Sequence, residues 1–280
     1  MEDLELHVHR VHPALRPYLD ELVGYSYRGD PPALHRGLPS RSLTVVMTLD
    51  DPLGIAWPGA PAEKFETLAG GLHSTAVRIS QSPNRAGLQF ALTPAGSRAL
   101  LGLPPGELAS MVVPLDDVLG RSARELAEQL RETSSWEQRF AIVERLLLEA
   151  WRDEPIPEPR AELSWAWQRL AQSGGGVGVQ DLAAEVGWGR RHLTERFRRE
   201  YGLAPKVAAR VMRFEQAVRR LRSSPGTKLA DLAADLGYAD QAHLSREWNA
   251  LAGCSPRQWM TEELPYVQDG AAVRRAESRV

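Results

Sequence analysis

The stretch LAAEVGW, residues 182–188, recurs as LAADLGY at residues 232–238, fifty positions further along the chain. The likeness extends beyond both stretches, since GLAP at 202–205 corresponds to GCSP at 253–256. Two copies at one spacing predict two small helical units. They do not predict a solenoid, because a solenoid needs at least three repeats to bury a continuous core.

Each copy has the pattern of two helices joined by a sharp turn. Adjacent alanines at the end of the first helix favour close approach of the second. Gly187 and Gly237 stand where the reversal requires a positive φ angle. Each second helix then carries an apolar pair four residues apart, namely Leu193 with Phe197 and Leu244 with Trp248. Such pairs face a helix's own core, so the pattern predicts two helix-turn-helix units and the outward face of each second helix.

That outward face carries side chains suited to reading duplex DNA. Arginine can fork onto guanine or clamp a phosphate, and glutamine can form two hydrogen bonds with adenine. Asp240 is placed to cap the second of these helices, whereas the first has Gly189 in that position. The candidate DNA-binding residues are Arg190, Arg191, Thr194, Glu195 and Arg198 in the first unit and Gln241, Ala242, His243 and Arg246 in the second.

Charge is divided unevenly along the 280 residues, although the formal net charge is only −2. Residues 1–159 carry 15 Lys+Arg and 22 Asp+Glu, whereas residues 160–264 carry 16 and 12. Eleven basic and three acidic residues fall within 190–222. This density favours a polyanionic partner, with a solvated basic helix face as the alternative. Phosphate contact and plain solvent exposure are both open for Arg213, Arg219, Arg220 and Arg222.

The two halves of the chain have different periodicities. Leu43–Leu49 and Gly87–Leu92 alternate like strands, whereas Ala123–Leu130 and Glu137–Trp151 space apolar residues at helical intervals. Three prolines in Pro155–Pro159 predict a stiff extended linker. The sequence therefore predicts a sheet-containing first domain, closed by helices, and a helical second domain.

A longer motif surrounds the second repeat. Residues 237–248, GYADQAHLSREW, are followed by GCSP and by Trp259. With these residues, the segment resembles the DNA-binding domain of the AraC/XylS family of transcription regulators. Phenylalanine is usual in that family where Trp248 stands, and serine is usual where Gly189 stands. The resemblance implies seven helices in two helix-turn-helix subdomains, joined by a long helix at about Lys206–Leu221, with both recognition helices in adjacent segments of the major groove.

Two shorter motifs lie in the first half, HRGLPS at 35–40 and GLQFALTPAG at 87–96. They are similar to the sensor domain of one branch of the same family. The resemblance implies a small β-barrel that binds a small molecule or mediates dimerisation, without indicating a particular ligand.

Together these observations predict an α+β protein of two domains. We expect a mixed β/α sensor or dimerisation domain at 1–154, with a small barrel-like sheet plus helices, and a proline-rich linker at 155–160. An all-α DNA-binding domain is expected at 161–264, with two helix-turn-helix units joined by a long helix. Residues 265–280 are polar, without apolar periodicity, and are expected to be disordered.

Other classes of function fit the sequence less well. A cupin-like metal enzyme needs a glutamate soon after its His-x-His, but His7-Val8-His9 is followed by no glutamate before Glu21. The single Cys254 excludes a cysteine-rich zinc site and disfavours DNA alkyl transfer. We therefore expect no enzyme activity, cofactor or metal, and His192 and His243 are not interpreted as ligands. A protein-interaction module on a DNA-binding fold remains the alternative.

Partners and location follow from the same features. No stretch approaches the roughly 18 to 20 apolar residues that span a bilayer, and no secretion signal opens the chain, so a cytoplasmic protein without membrane contact is expected. The expected partner is the major groove of double-stranded DNA. RNA polymerase, a small-molecule effector and a second copy of the chain are further candidates. Glu137–Trp151 could serve dimerisation, although packing on its own domain is favoured.

Overall fold

The computed structural model describes residues 3–29, 34–80, 82–152, 156 and 158–263. The strands lie in the first half of the chain, as predicted. They are β1 Asp3–Val8, β2 Leu19–Arg28, β3 His35–Gly37, β4 Leu43–Thr48, β5 Leu53–Ala56, β6 Glu63–Phe65, β7 Thr67–Gly70, β8 Val77–Ser80, β9 Asn84–Leu92 and β10 Val112–Pro114.

Most helices follow the strands and make up the second half, which confirms the α+β class. In the first half they are α1 Pro94–Leu101, α2 Leu115–Leu119, α3 Arg121–Glu132 and α4 Trp136–Arg152. In the second half they are α5 Ala161–Gln172, α6 Val179–Glu185, α7 Arg190–Tyr201, α8 Pro205–Ser223, α9 Leu229–Asp235, α10 Gln241–Ala252 and α11 Pro256–Glu262. A short 3-10 helix, Pro105–Leu108, precedes β10.

The strands form two antiparallel sheets, of order β1-β2-β9-β4-β7-β10 and β3-β8-β5-β6. The central strand β4 explains why they stack. Its residues alternate between faces, so Val45 and Met47 enter the main core while Val46 enters a smaller one with Ile55 and Val77 of the second sheet. The first sheet is therefore covered by the second sheet on one face and by helices on the other.

The main core runs without interruption from the first half into the first helix-turn-helix unit. It contains Leu88 of β9 and Phe140 of α4 as well as Leu163 of α5 and Phe197 of α7. A separate core is built around Trp248 and belongs to the second unit. The two halves of the chain thus share buried apolar surface.

The predicted helices are present, with somewhat wider bounds. The helix expected at 206–221 is α8, which begins one residue earlier because Pro205 occupies a first-turn position where its missing N–H costs nothing. In α4, Phe140, Val143 and Leu147 are buried within this chain, which favours packing on its own domain over dimerisation.

Parts of two predictions lie outside the described residues. Positions 153–155 and 157, within or beside the expected proline-rich linker, are among them, as are all of 264–280, which include the expected disordered tail. The domain boundaries therefore remain predictions. Among the helices of the described part, none is long and apolar enough to cross a membrane.

Candidate DNA-binding interface

The first helix-turn-helix unit consists of α6 and α7, and its turn is closed by backbone hydrogen bonds. Trp188 N–H donates to the Ala183 carbonyl at 2.9 Å, and Gly187 N–H donates to that of Ala184 at 3.1 Å. Gly187 has φ +69°, and a Cβ built there would meet nothing within 4 Å. Glycine is therefore required for its backbone conformation and not for space.

The second unit, α9 and α10, repeats this geometry. Tyr238 N–H donates to the Ala233 carbonyl at 2.9 Å, Gly237 N–H donates to that of Ala234 at 3.2 Å, and Gly237 has φ +70°. Corresponding residues of the two repeats thus make the same bonds. The sequence repeat is a structural repeat.

The predicted apolar pairs hold each second helix on its unit. Leu193, Phe197, Leu244 and Trp248 are all within 1% of full burial. Trp167 of α5 stacks on Phe197, with ring centroids 5.8 Å apart. Burial of one face fixes the opposite face of α7 and of α10 towards solvent.

The solvent face of α7 brings together every candidate residue of the first unit. Arg190, Arg191, Thr194, Glu195 and Arg198 line one open surface, to which the structure adds Arg199. Thr194 Oγ1 donates to the Arg190 carbonyl at 2.8 Å, so its hydroxyl proton is used within the helix. The arginine side chains are exposed, which leaves their guanidinium groups available to an anion.

Three of the four candidates in the second unit, Gln241, Ala242 and Arg246, are exposed near the start of α10. Asp240 caps this helix as predicted, since its Oδ1 accepts the His243 N–H at 2.6 Å. Gly189 offers α7 no such side-chain bond. Helix α10 is therefore better capped and less basic than α7.

His243 is the candidate that the structure places differently from the other three. Its Nδ1 accepts the Ala239 N–H at 3.3 Å, and its ring meets the Tyr238 ring edge-on at 5.4 Å. Its Nε2 lies 3.7 Å from Glu247 Oε1. The imidazole is half-buried against the turn, so in this arrangement it packs α10 against the turn.

The sequence allows either phosphate contact or plain solvent exposure for four arginines of α8. The structure places them in different environments. Arg219 pairs with Glu215 at 2.8 Å within α8, and Arg220 lies 4.0 Å from Asp235. Arg222 lies over the Trp259 ring at 5.8 Å. Arg213 is largely buried between the two units, and sequence reasoning missed this role.

The described residues also show where possible metal ligands and the cysteine lie. Within the described ranges, no group of three or more His, Cys, Asp or Glu is placed to hold a metal ion. Cys254 is buried in the second unit, and burial raises the pKa of its thiol. A thiol in that environment is less nucleophilic than a free one at neutral pH.

Comparison with known proteins identifies the type of domain in the carboxy-terminal part of the chain. Residues 182–262 match the profile described as a helix-turn-helix domain, a span that covers both units from α6 to α11. The carboxy-terminal domain is an AraC-type helix-turn-helix domain. The predicted resemblance to AraC/XylS regulators is confirmed for this part of the chain.

A curated relative agrees with that assignment. It is the uncharacterized helix-turn-helix-type transcriptional regulator YbfI of Bacillus subtilis (strain 168), 29% identical over 90 residues. The match spans 32% of this chain and 32% of YbfI. Because only about a third of that relative is covered, the likeness concerns one domain.

A solved structure extends the likeness in fold to most of the chain. ToxT from Vibrio cholerae strain SCE256, with an unsaturated fatty acid bound, aligns over 91% of this chain and 97% of its own. The TM-score is 0.51 and the identity 9%. The AraC-type domain and the β-rich half therefore share a two-part fold with ToxT.

Proposed function

We propose that this protein is a transcription regulator that binds specific duplex DNA through its AraC-type domain. The observation that carries the proposal is the face of α7, where the candidate residues form one exposed surface while the opposite face is buried. The second unit repeats the same geometry. We assign the protein no catalytic role and expect it to act in the cytoplasm.

The exposed side chains supply complementary kinds of contact. The guanidinium groups of Arg190, Arg191 and Arg198 can pair with guanine O6 and N7 or with phosphate, and Glu195 can accept from the cytosine amino group. Gln241 can pair with adenine, and the methyl group of Ala242 can contact that of thymine. Base contacts would specify the sequence, while phosphate contacts would hold the protein in register.

We further propose that the β-rich half controls this binding, through an effector or through self-association. The β-rich half contacts the first unit at the end of α7, where Arg98 and Glu200 form a bidentate ion pair with bonds of 2.9 and 2.8 Å. Gly106 packs so closely there that a Cβ would lie 2.7 Å from the Arg199 carbonyl oxygen. A conformational change in the β-rich half would therefore alter the position of α7.

The β-rich half also contacts the second unit, at a different place. Arg36 of β3 is buried, and its Nη1 donates to Glu263 Oε1 and lies 2.8 Å from Glu262 Oε2. Leu38 packs against the core of the second unit, and Ala76 N–H donates to the Leu251 carbonyl of α10 at 2.8 Å. Arg36 and Leu38 belong to the HRGLPS motif, so this motif lies against the AraC-type domain.

The proposal also concerns which compound or partner controls DNA binding. ToxT, solved with an unsaturated fatty acid, shares the fold, which makes a fatty acid a reasonable first compound to titrate. A second copy of the chain is the alternative controlling partner, and RNA polymerase is the partner through which a bound regulator would act.

Salt-dependent binding to DNA tests the role of the α7 face. We expect the variant Arg190→Ala/Arg191→Ala/Arg198→Ala to bind a promoter fragment more weakly in fluorescence anisotropy. The slope of log K against log salt should fall by about 0.9 for each phosphate that the variant no longer neutralises.

A matched triple variant of the β-rich half provides the control. Arg78, Arg121 and Arg145 are exposed arginines of that half, and their replacement by alanine removes the same net charge. Equal weakening by both triple variants would mean that only overall charge matters, which would contradict a binding face on α7.

A further inference from the structure

Glu247 lies on the inner side of the second recognition helix, turned away from the candidate reading face. Its side chain is 14% exposed. Oε1 accepts from Arg210 Nε at 2.8 Å, and Oε2 lies 3.9 Å from Arg213 Nη1. Both arginines belong to α8, the helix that joins the two units, so this carboxylate ties α10 to α8 by charge.

Arg213 continues the connection into the first unit. Its Nη2 donates to the Gly175 carbonyl at 3.0 Å, in the turn between α5 and α6. The guanidinium also lies 5.2 Å from the centre of the Tyr238 ring, in the turn of the second unit. One side chain, 18% exposed, is therefore hydrogen-bonded to the turn that leads into the first unit and lies against both the turn of the second unit and helix α10.

The turn that receives Arg213 has its own sequence signal, the run Gly174-Gly175-Gly176. Gly175 has φ +77°, and a Cβ there would lie 2.0 Å from the Ala209 carbonyl oxygen of α8. A larger residue could not approach α8 so closely. The glycine run, which the helix-turn-helix motif does not require, brings the Gly175 carbonyl within reach of Arg213.

We propose that Arg213 and Glu247 are positioning residues that set the angle between the two recognition helices, and thereby the spacing of the DNA half-sites that the chain accepts. This inference rests on the proposed DNA-binding function. The contacts that run from Gly175 through Arg213 to Glu247 form an inter-unit bridge.

The physical reason is that apolar packing alone is poorly directional. Helix α8 contributes Met212 to the core of the first unit and Phe214 to that of the second. These contacts join the units but tolerate small rotations, since burial depends on area. A guanidinium, in contrast, presents its donors in a fixed planar fork. Arg213 is fixed at one end by its hydrogen bond to the Gly175 carbonyl and attracts at the other end the Glu247 carboxylate, 3.9 Å away, which Arg210 holds by a hydrogen bond. Together these contacts favour one orientation of α10.

A distance measurement on the full chain tests the bridge without DNA. Spin labels on Asp181→Cys and Asn249→Cys, both exposed positions, in a Cys254→Ala background report the separation of α6 and α10. We expect a narrow distance distribution, and a broader or shifted one when Glu247→Gln is added. Arg219→Gln, which breaks an ion pair within α8 alone, is the control and should leave the distribution unchanged.

Half-site spacing provides the functional readout. One inserted base pair moves one half-site by about 3.4 Å and turns it by about a tenth of a helical turn. We expect Glu247→Gln and Arg213→Met to reduce the preference for the native spacing over the inserted one by about tenfold. A stability defect alone would weaken binding to both duplexes equally and leave this ratio unchanged.

The outcomes separate the two proposals. If folded variants keep both the wild-type distance distribution and the wild-type spacing ratio, the inter-unit bridge is wrong while the DNA-binding function stands. If the wild-type chain binds no bipartite duplex specifically, the proposed function fails. In that case the label distances alone decide whether Arg213 and Glu247 set the angle, and an unchanged distribution overturns the bridge.

Discussion

Arg246 is the exposed arginine of α10 and the arginine proposed to read a base in the second unit. We expect Arg246→Ala to weaken specific binding by about 1–3 kcal/mol, the scale of one bidentate contact with a base. Competition between specific and random duplexes measures the loss. Arg145→Ala, a change of equal charge on α4, is the control. A footprint and affinity unchanged by Arg246→Ala would remove this residue from the reading set.

Tyr238 should make stability sensitive to alkaline pH. Burial raises the pKa of its phenol to about 12, and Glu247 adds to the rise while Arg213 and Arg210 oppose it. Below about pH 10 the tyrosine is neutral in both the folded and the unfolded chain, so its full contribution to the free energy of unfolding is present. Between about pH 10 and 12 only the unfolded chain ionises, and the contribution is lost.

Tyr238→Phe isolates this effect from that of the other tyrosines. We expect its free energy of unfolding to fall less than that of the wild type between about pH 9 and pH 12, by on the order of 2 kcal/mol. Urea unfolding across this range measures the difference. Parallel pH dependence in the two proteins would show that Tyr238 ionises normally in the folded state.

The capping residues of the two recognition helices offer a paired test at the scale of the element. Asp240→Ala removes the bond to the His243 N–H and should cost about 1 kcal/mol of unfolding free energy. Gly189→Ser should instead stabilise by a few tenths of a kcal/mol, since Gly189 has an extended backbone and a Cβ added there would meet nothing within 4 Å. Denaturant unfolding measures both, and destabilisation by Gly189→Ser would contradict the assigned cap position.

Features of the elements that depend on nearby residues could be predicted from the sequence. The turns at Gly187 and Gly237, the buried faces of α7 and α10, and the Asp240 cap all follow from spacing within about a dozen residues. The order of the six-stranded sheet could not be predicted, because β2 pairs with β9 across a long stretch of chain. Local periodicity carries no information about such partners.

The candidate site shows the same division. The exposed face of α7 could be predicted because exposure follows from the position of its apolar pair, whereas DNA reading by that face stays a prediction. Arg213 could not be distinguished from Arg219 on the same helix, since its environment depends on Gly175 and Glu247, which come from distant parts of the chain. His243 was predicted as a reading residue, and its contacts with the turn depend on side-chain geometry that spacing does not give.

At the scale of the whole molecule, the β-rich half and the AraC-type domain are joined by shared core and by buried charge. Arg98 and Glu200 are each 11% exposed. Arg98→Ala would leave a buried carboxylate without this partner, and we expect it to lower the free energy of unfolding by about 3–5 kcal/mol. Calorimetry or denaturant unfolding of the full chain measures the change.

The double variant Arg98→Met/Glu200→Leu is the control for this ion pair. Because neither partner remains charged and the volume is roughly kept, most of the stability should return. If the double variant were as unstable as Arg98→Ala, the unpaired charge would not be the reason for the destabilisation. If Arg98→Ala were harmless, Arg98 and Glu200 would not hold the two halves together.

The central claim is that two recognition helices of one chain read DNA together. Selection of bound duplexes from a random-sequence pool by the full-length protein tests it most directly, with a salt titration on the winning sequence. The account predicts a bipartite motif with half-sites about one helical turn apart, roughly 10 base pairs. Two results would contradict it and favour a protein-interaction module. One is the absence of an enriched motif, and the other is binding whose affinity depends on salt concentration alone and is the same for any sequence.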